Sequence, residues 1–170
     1  MQRLPPPWVL VLFGLILNVM AILMSSVVLD KLGYQHNVFA EEKDENLYAI
    51  QLAWNSVETL ERKREMLLLH LRQEDDRSAV ISQALQDQLS EWVNKSVPQI
   101  SQANLRELMG LINQAQQTHR ERIDNFYLEN LTLSEQMNEL DAEIAWYKNI
   151  GLFLQIFGLA LILARDLARK

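Results

Sequence analysis

Few residues in this chain of 170 have the type and spacing to do chemistry. The histidines, His36, His70 and His119, lie far apart, and none has a glutamate three residues before it. The helical di-iron pattern is therefore absent, as is the H-E-x-x-H pattern of zinc proteases. There is no cysteine, which excludes disulfides and thiolate metal sites. The glycines (Gly14, Gly33, Gly110, Gly151, Gly158) are too dispersed to form a phosphate-cradling loop. The acidic run Glu41-Glu42-Lys43-Asp44-Glu45 reads as a solvated helix start rather than a cation site. His119, beside Arg120 and Arg122, reads as solvated or locally paired rather than as a pH sensor. Asn94-Lys95-Ser96 and Asn130-Leu131-Thr132 match the glycosylation sequon, a pattern short enough to arise by chance. No enzyme, cofactor or metal is expected.

Two amides are more informative. Gln155 interrupts the apolar run from Asn149 to Arg165, and Asn18 interrupts the one from Trp8 to Leu29. Gly14, Asn18, Ala21 and Ser25 recur at steps of four, three and four, which places them on one helix face. Gly151, Gln155 and Gly158 share a face in the same way. Asn18 lies ten residues inside Trp8 and Gln155 ten residues inside Arg165, so an antiparallel pair would hold both amides at one depth. Small neighbours would let the backbones approach and the amides bond across the gap.

These residues need two membrane-spanning helices to position them. Residues 8–29 carry no charge over roughly the ~20 residues that a bilayer core requires. Pro5, Pro6 and Pro7 stop the helix from extending back, and Trp8 suits an interface. The run exceeds the ~7–15 residues of a cleaved signal peptide, so it reads as an uncleaved signal-anchor. The second run, 149–165, is shorter, but Lys148 and Arg165 can snorkel while Trp146 and Tyr147 sit among headgroups. The chain is 49% hydrophobic with a mean hydropathy of only -0.09, as apolar blocks around a polar middle require. The short ends are basic and the middle is acidic. The positive-inside rule then places both termini (1–7 and the tail 166–170) in the cytoplasm and the middle outside. A composition rich in Leu and Gln with no cysteine reads as bacterial, so a bacterial inner membrane is expected. The acidic middle also argues against a nucleic-acid partner.

Between the spans, the spacing predicts a long antiparallel helical hairpin, making this an all-α membrane protein. Leu105, Leu108, Ile112 and Ala115 recur at steps of three and four. After a stutter at His119 the series resumes at Ile123, Phe126, Asn130, Leu133, Met137, Leu140, Ile144 and Tyr147. Beyond Gly110 this coiled-coil-like seam runs without Gly or Pro up to the second span, so the second arm and that span form one helix from about Ser101 to Ala164. Upstream, Leu47, Ile50, Trp54, Val57, Leu60, Leu67 and Leu71 form one stripe, and Ile81, Leu85, Leu89 and Trp92 another. Residues 30–45, with Gly33, read as a linker, and 46–148 as the hairpin with its tip near 95–100, at Pro98. Ser101 would cap the next helix. That register sets Glu74, Asp75 and Asp76 opposite Arg120 and Arg122, and Arg62, Lys63 and Arg64 opposite Glu129 and Glu135. The rival fold breaks the first arm at Asp76-Arg77-Ser78, with Ser78 capping a new helix, and forms a three-helix bundle.

Trp54, Trp92, Met66, Leu68 and Leu69 exceed what a two-stranded seam can bury, which points to a homo-oligomer or to another membrane protein as partner. The expected function is a membrane-anchored scaffold or interaction protein that projects its hairpin and self-assembles, as a sensory or assembly subunit does. The plan of two spans and a helical ectodomain resembles the sensory half of chemoreceptors. The alternative is a small oligomeric channel or membrane-permeabilising effector, a class that ionisable residues within the spans would favour. Neither span has one between its ends. No motif identifies a family.

Overall fold

The computed structural model describes residues 6–72 and 78–167, and among these it is all-helical. Helix α1 spans Pro7–Leu23. Proline occupies its first turn, where the missing N–H costs nothing, and Val9 N–H closes the turn on Pro6 C=O at 2.9 Å. A six-residue π-helical stretch, Met24–Leu29, leads without a break into α2, Asp30–Arg72. Helix α3 covers Ser78–Val93 and α4 covers Leu105–Leu167. The 63 residues of α4 join the seam and the second apolar run in one helix. Two helices are long and apolar enough to cross a membrane.

The expected linker at 30–45 is a correction: it forms the first turns of α2. A lone helical glycine such as Gly33 costs only about 1 kcal/mol. The segment recovers that by packing on α4, where Lys43 Nζ donates to Ser134 Oγ at 2.9 Å and His36 Nε2 lies 3.5 Å from an Asp141 carboxylate oxygen.

The chain divides into two compact units, Met1–Lys43 with Thr132–Lys170, and Asp44–Leu131. In the second unit the expected pair of equal arms is replaced by three helices. Helix α2 ends at Arg72, and α3 runs back along it: His70 Nε2 meets Ser82 Oγ at 2.7 Å and Lys63 Nζ donates to Gln88 Oε1. The reversal at the end of α3 depends on Asn94, whose φ of 52° puts it in the left-handed region. Asparagine tolerates that conformation. Lys95 N–H then reaches Ser90 C=O at 3.3 Å, closing a C-terminal cap.

The tip expected near Pro98 is instead an extended return segment. Gln86 Nε2 holds Val97 C=O at 2.8 Å, and Gln102 Nε2 reaches Leu71 C=O at 3.2 Å, back at the end of α2. Proline suits this segment because no helix or ladder there needs its N–H. Ser101 Oγ accepts from Asn104 N–H at 3.3 Å in a turn ahead of the helix, and α4 starts at Leu105.

The reason for the fold-back is burial. Leu60 and Leu67 of α2, Leu89 and Val93 of α3, Val97 and Ile100 of the return segment, and Leu108 and Ile112 of α4 form one core. Fully burying such a side chain is worth about 1.5–3 kcal/mol, so the four residues from Leu89 to Ile100 outweigh the turns needed to bring them in. A consequence is testable by crosslinking. Cysteines replacing Lys63 and Gln88 should join efficiently within one chain, whereas cysteines at Leu60 and Glu135 should not. The opposite yields would restore the straight two-arm hairpin.

Burial along α4 follows the seam: Leu108, Ile112, Ile123, Asn130 and Leu133 are buried. Along α2 the expected stripe holds at Val57, Leu60 and Leu67 but is rotated near the start of the helix. Asn46, Ala53, Val57, Leu60 and Leu67 face inward, while Leu47 and Trp54 are exposed. A small residue and a polar one hold the inner positions, and the larger apolar residues beside them misdirect a reading by hydrophobicity. At the stutter, Gln116 turns inward and its Nε2 donates to Val57 C=O at 3.3 Å and to Glu61 Oε2 at 2.9 Å.

Candidate interhelical site between the apolar segments

Within the first unit, α1 and the end of α4 touch at two glycines. A Cβ added to Gly14 would lie 2.5 Å from Gly158 O and 2.8 Å from Ile162 Cγ1. One added to Gly158 would lie 2.5 Å from Asn18 Nδ2 and 2.7 Å from Gly14 O. Both positions thus demand the absence of a side chain, and backbone meets backbone. Ala21, two turns beyond Gly14, is fully buried. In a bilayer, where lipid is as apolar as the helix surface, such close packing is a main source of helix–helix attraction.

The two amides do not pair with each other. Asn18 Nδ2 donates back along its own helix to Gly14 O at 2.9 Å, which sets the carboxamide against Gly158. A local bond to the preceding turn competes with any bond across helices. Gln155 lies one turn of α4 away from that contact and lines a cavity of about 380 Å³. Ser25 and Gly151 line it too, with Ala21, Leu29, Ile144, Tyr147, Lys148 and Leu152. A Cβ on Gly151 would meet nothing within 4 Å, so the second half of the small-residue face has room where the first half has contact. The change comes at the π-helical stretch Met24–Leu29. Its i→i+5 turns take an extra residue and change which side chains share a face.

Aromatic pairs lie along the same part of α4. Trp146 and Tyr147 meet edge-to-face at 4.9 Å, and Phe153 and Phe157 stack at 5.8 Å. The spacing does not single out Ile162, which closes on Gly14, or Leu152 and Lys148, which line the cavity. Ile144 and Tyr147 were signalled by their seam positions.

The charged residues expected to set the register have other neighbours. Arg62 pairs with Glu58 at 2.6 Å and Arg64 with Glu61 at 3.5 Å, one turn away on the same helix, and Lys63 turns to Gln88. Arg120 lines a depression with Glu58, Glu61 and Gln116, and Arg122 lies 5.6 Å over the Phe126 ring. Glu129 and Glu135 are exposed. Glu74, Asp75 and Asp76 lie outside the described residues. The register follows apolar burial, since exposed ion pairs contribute only about 0–1 kcal/mol.

The geometry at Gly14 and Gly158 is that of close helix–helix packing. Comparison with known protein families, curated proteins and solved structures finds no match to the chain.

Proposed function

We propose that the protein is an integral membrane scaffold: two spans anchor it, and the helical unit of residues 44–131 serves as its interaction surface. The observation that carries this is the division of exposed apolar residues. Around the Gly14–Gly158 contact, Phe13, Leu15, Phe153 and Phe157 face outward, as side chains bathed in lipid do. In the other unit Leu47, Trp54, Leu68, Leu69, Tyr127 and Leu131 are exposed on helix segments too polar for a bilayer. Apolar surface left open on such a unit marks an interaction site, and a second copy of the chain is the partner proposed.

The basic ends and acidic middle support both termini in the cytoplasm. A cysteine at Ser96 should then react with an impermeant thiol reagent from outside, and one at Lys170 only after lysis. Labelling in the reverse order would invert the orientation. Self-assembly is tested in nanodiscs or mild detergent, where Trp54→Asp and Leu131→Asp together should convert oligomer to monomer. A channel, the rival role, predicts conductance above the lipid background; the scaffold predicts none.

A further inference from the structure

We infer that the cavity between the π-helical stretch and α4 is a binding site for one anionic phospholipid. The site rests on the membrane-spanning reading proposed above. Its volume of about 380 Å³ falls in the range of roughly 300–1,000 Å³ typical of ligand sites. Its wall is apolar along most of its length, from Leu29, Ile144 and Leu152 to Ala21. A lateral opening of this kind in a bilayer is filled by whatever surrounds it, and an acyl chain matches the wall.

The head of the ligand follows from the charges. Lys148 is the one lining residue with a formal charge, and no carboxylate lines the cavity. Among the described residues Lys148 makes no ion pair. Tyr147 adds a phenol beside it. At 1.5 Å per residue Lys148 and Gln155 stand about 10 Å apart along α4, so the cation is at the interface end and the amide is deep. A phosphate on the Lys148 ammonium and the Tyr147 hydroxyl leaves the glycerol esters level with the upper wall. Ser25 and Gln155 then supply donors to ester oxygens at a depth where water is scarce.

The π-helical stretch is what makes the site. A regular helix would continue the contact of Gly14 and Gly158 through Ala21, Ser25 and Gly151 and close the gap, as small residues do. Here Gly151 faces open space instead. Such π-helical irregularities are frequent at functional sites.

The test uses the full-length chain in mild detergent, exposed to mixed phosphatidylglycerol and phosphatidylcholine, with retained lipids counted by native mass spectrometry. One phosphatidylglycerol per chain should be retained in preference to phosphatidylcholine. Lys148→Gln should lower that preference about fivefold, the effect of one Lys near a membrane surface. Gly151→Leu, which fills the cavity, should abolish retention of either lipid, and unchanged helical content by circular dichroism would confirm an intact fold. Lys31→Gln, a nearby cation that does not line the cavity, should change nothing. Equal losses from Lys31→Gln and Lys148→Gln would reduce the effect to general surface attraction and overturn the site. So would full lipid retention by Gly151→Leu, or a change in chain stoichiometry in place of lipid loss, which would put a second copy in the groove. Vesicle flotation after an alkaline wash separates the two readings. A chain that floats without a retained lipid refutes the site alone, and one that does not float refutes the membrane anchor as well.

Discussion

Gly158→Leu should separate the two apolar helices, with a loss of about 3 kcal/mol, at the upper end of the usual cost of overpacking. The size follows from what the new side chain meets. Even a Cβ at this position would stand 2.7 Å from Gly14 O, a backbone atom that cannot swing aside, and 2.5 Å from Asn18 Nδ2. Gly158→Ala should already cost roughly 1–2 kcal/mol, and Gly14→Ala a similar amount, because Gly158 O would lie 2.5 Å from its Cβ. The comparison that isolates packing from helix propensity uses Gly33 and Gly110, where an added Cβ meets nothing within 4 Å. Alanine there should stabilise by about 0.5–1 kcal/mol, the ordinary gain of replacing glycine inside a helix. Unfolding midpoints in dodecyl sulfate mixed micelles, followed by circular dichroism, measure all four. Gain of stability from Gly158→Ala would show that the helices do not touch at this point.

The second large effect is expected in the core of the other unit. Leu60 and Leu108 are both 0% exposed and sit in one apolar cluster with Leu67 and Ile112. Leu60→Ala and Leu108→Ala should each cost about 2–5 kcal/mol, the transfer loss plus the cavity left behind. Leu47→Ala removes the same atoms from the same helix, yet Leu47 is 46% exposed, so its loss should stay within roughly 0.5 kcal/mol in the dissociated chain. Val97→Ala should behave as a core substitution although it lies outside any helix, because the return segment buries it. Thermal unfolding at low protein concentration, where self-assembly contributes little, reads these differences. If Leu47 and Leu60 cost the same, the inner face of α2 is not the one through Asn46 and Ala53.

Neither proposed role depends on catalysis. A scaffold needs a fixed display and a fixed anchor, and the two glycines and the buried leucines supply them in separate units.

How far these features are visible in the amino-acid order depends on whether their cause is local. The continuity of α4 is local: no proline interrupts Leu105–Leu167, and the three-four spacing keeps one face apolar through Leu108, Ile112, Ile123 and Leu133. The apolar runs are local as well, being set by length and the absence of charge, and the recurrence of Gly14, Asn18 and Ala21 marks a face for close approach. The fold-back of α3 is not local. It depends on whether Leu89, Val93, Val97 and Ile100 gain more against Leu60 and Leu108 than a straight arm would gain elsewhere. Two chains of equal propensity can differ in that balance. The rotation of α2 has the same origin, because a seam filled by Asn46 and Ala53 is chosen by the shape of the opposing helix, while Leu47 and Trp54 carry the stronger apolar signal. The π-helical stretch and its cavity are likewise a tertiary outcome. The same small-residue face closes at Gly158 and opens at Gly151, and only the path of the helix past Met24 separates the two.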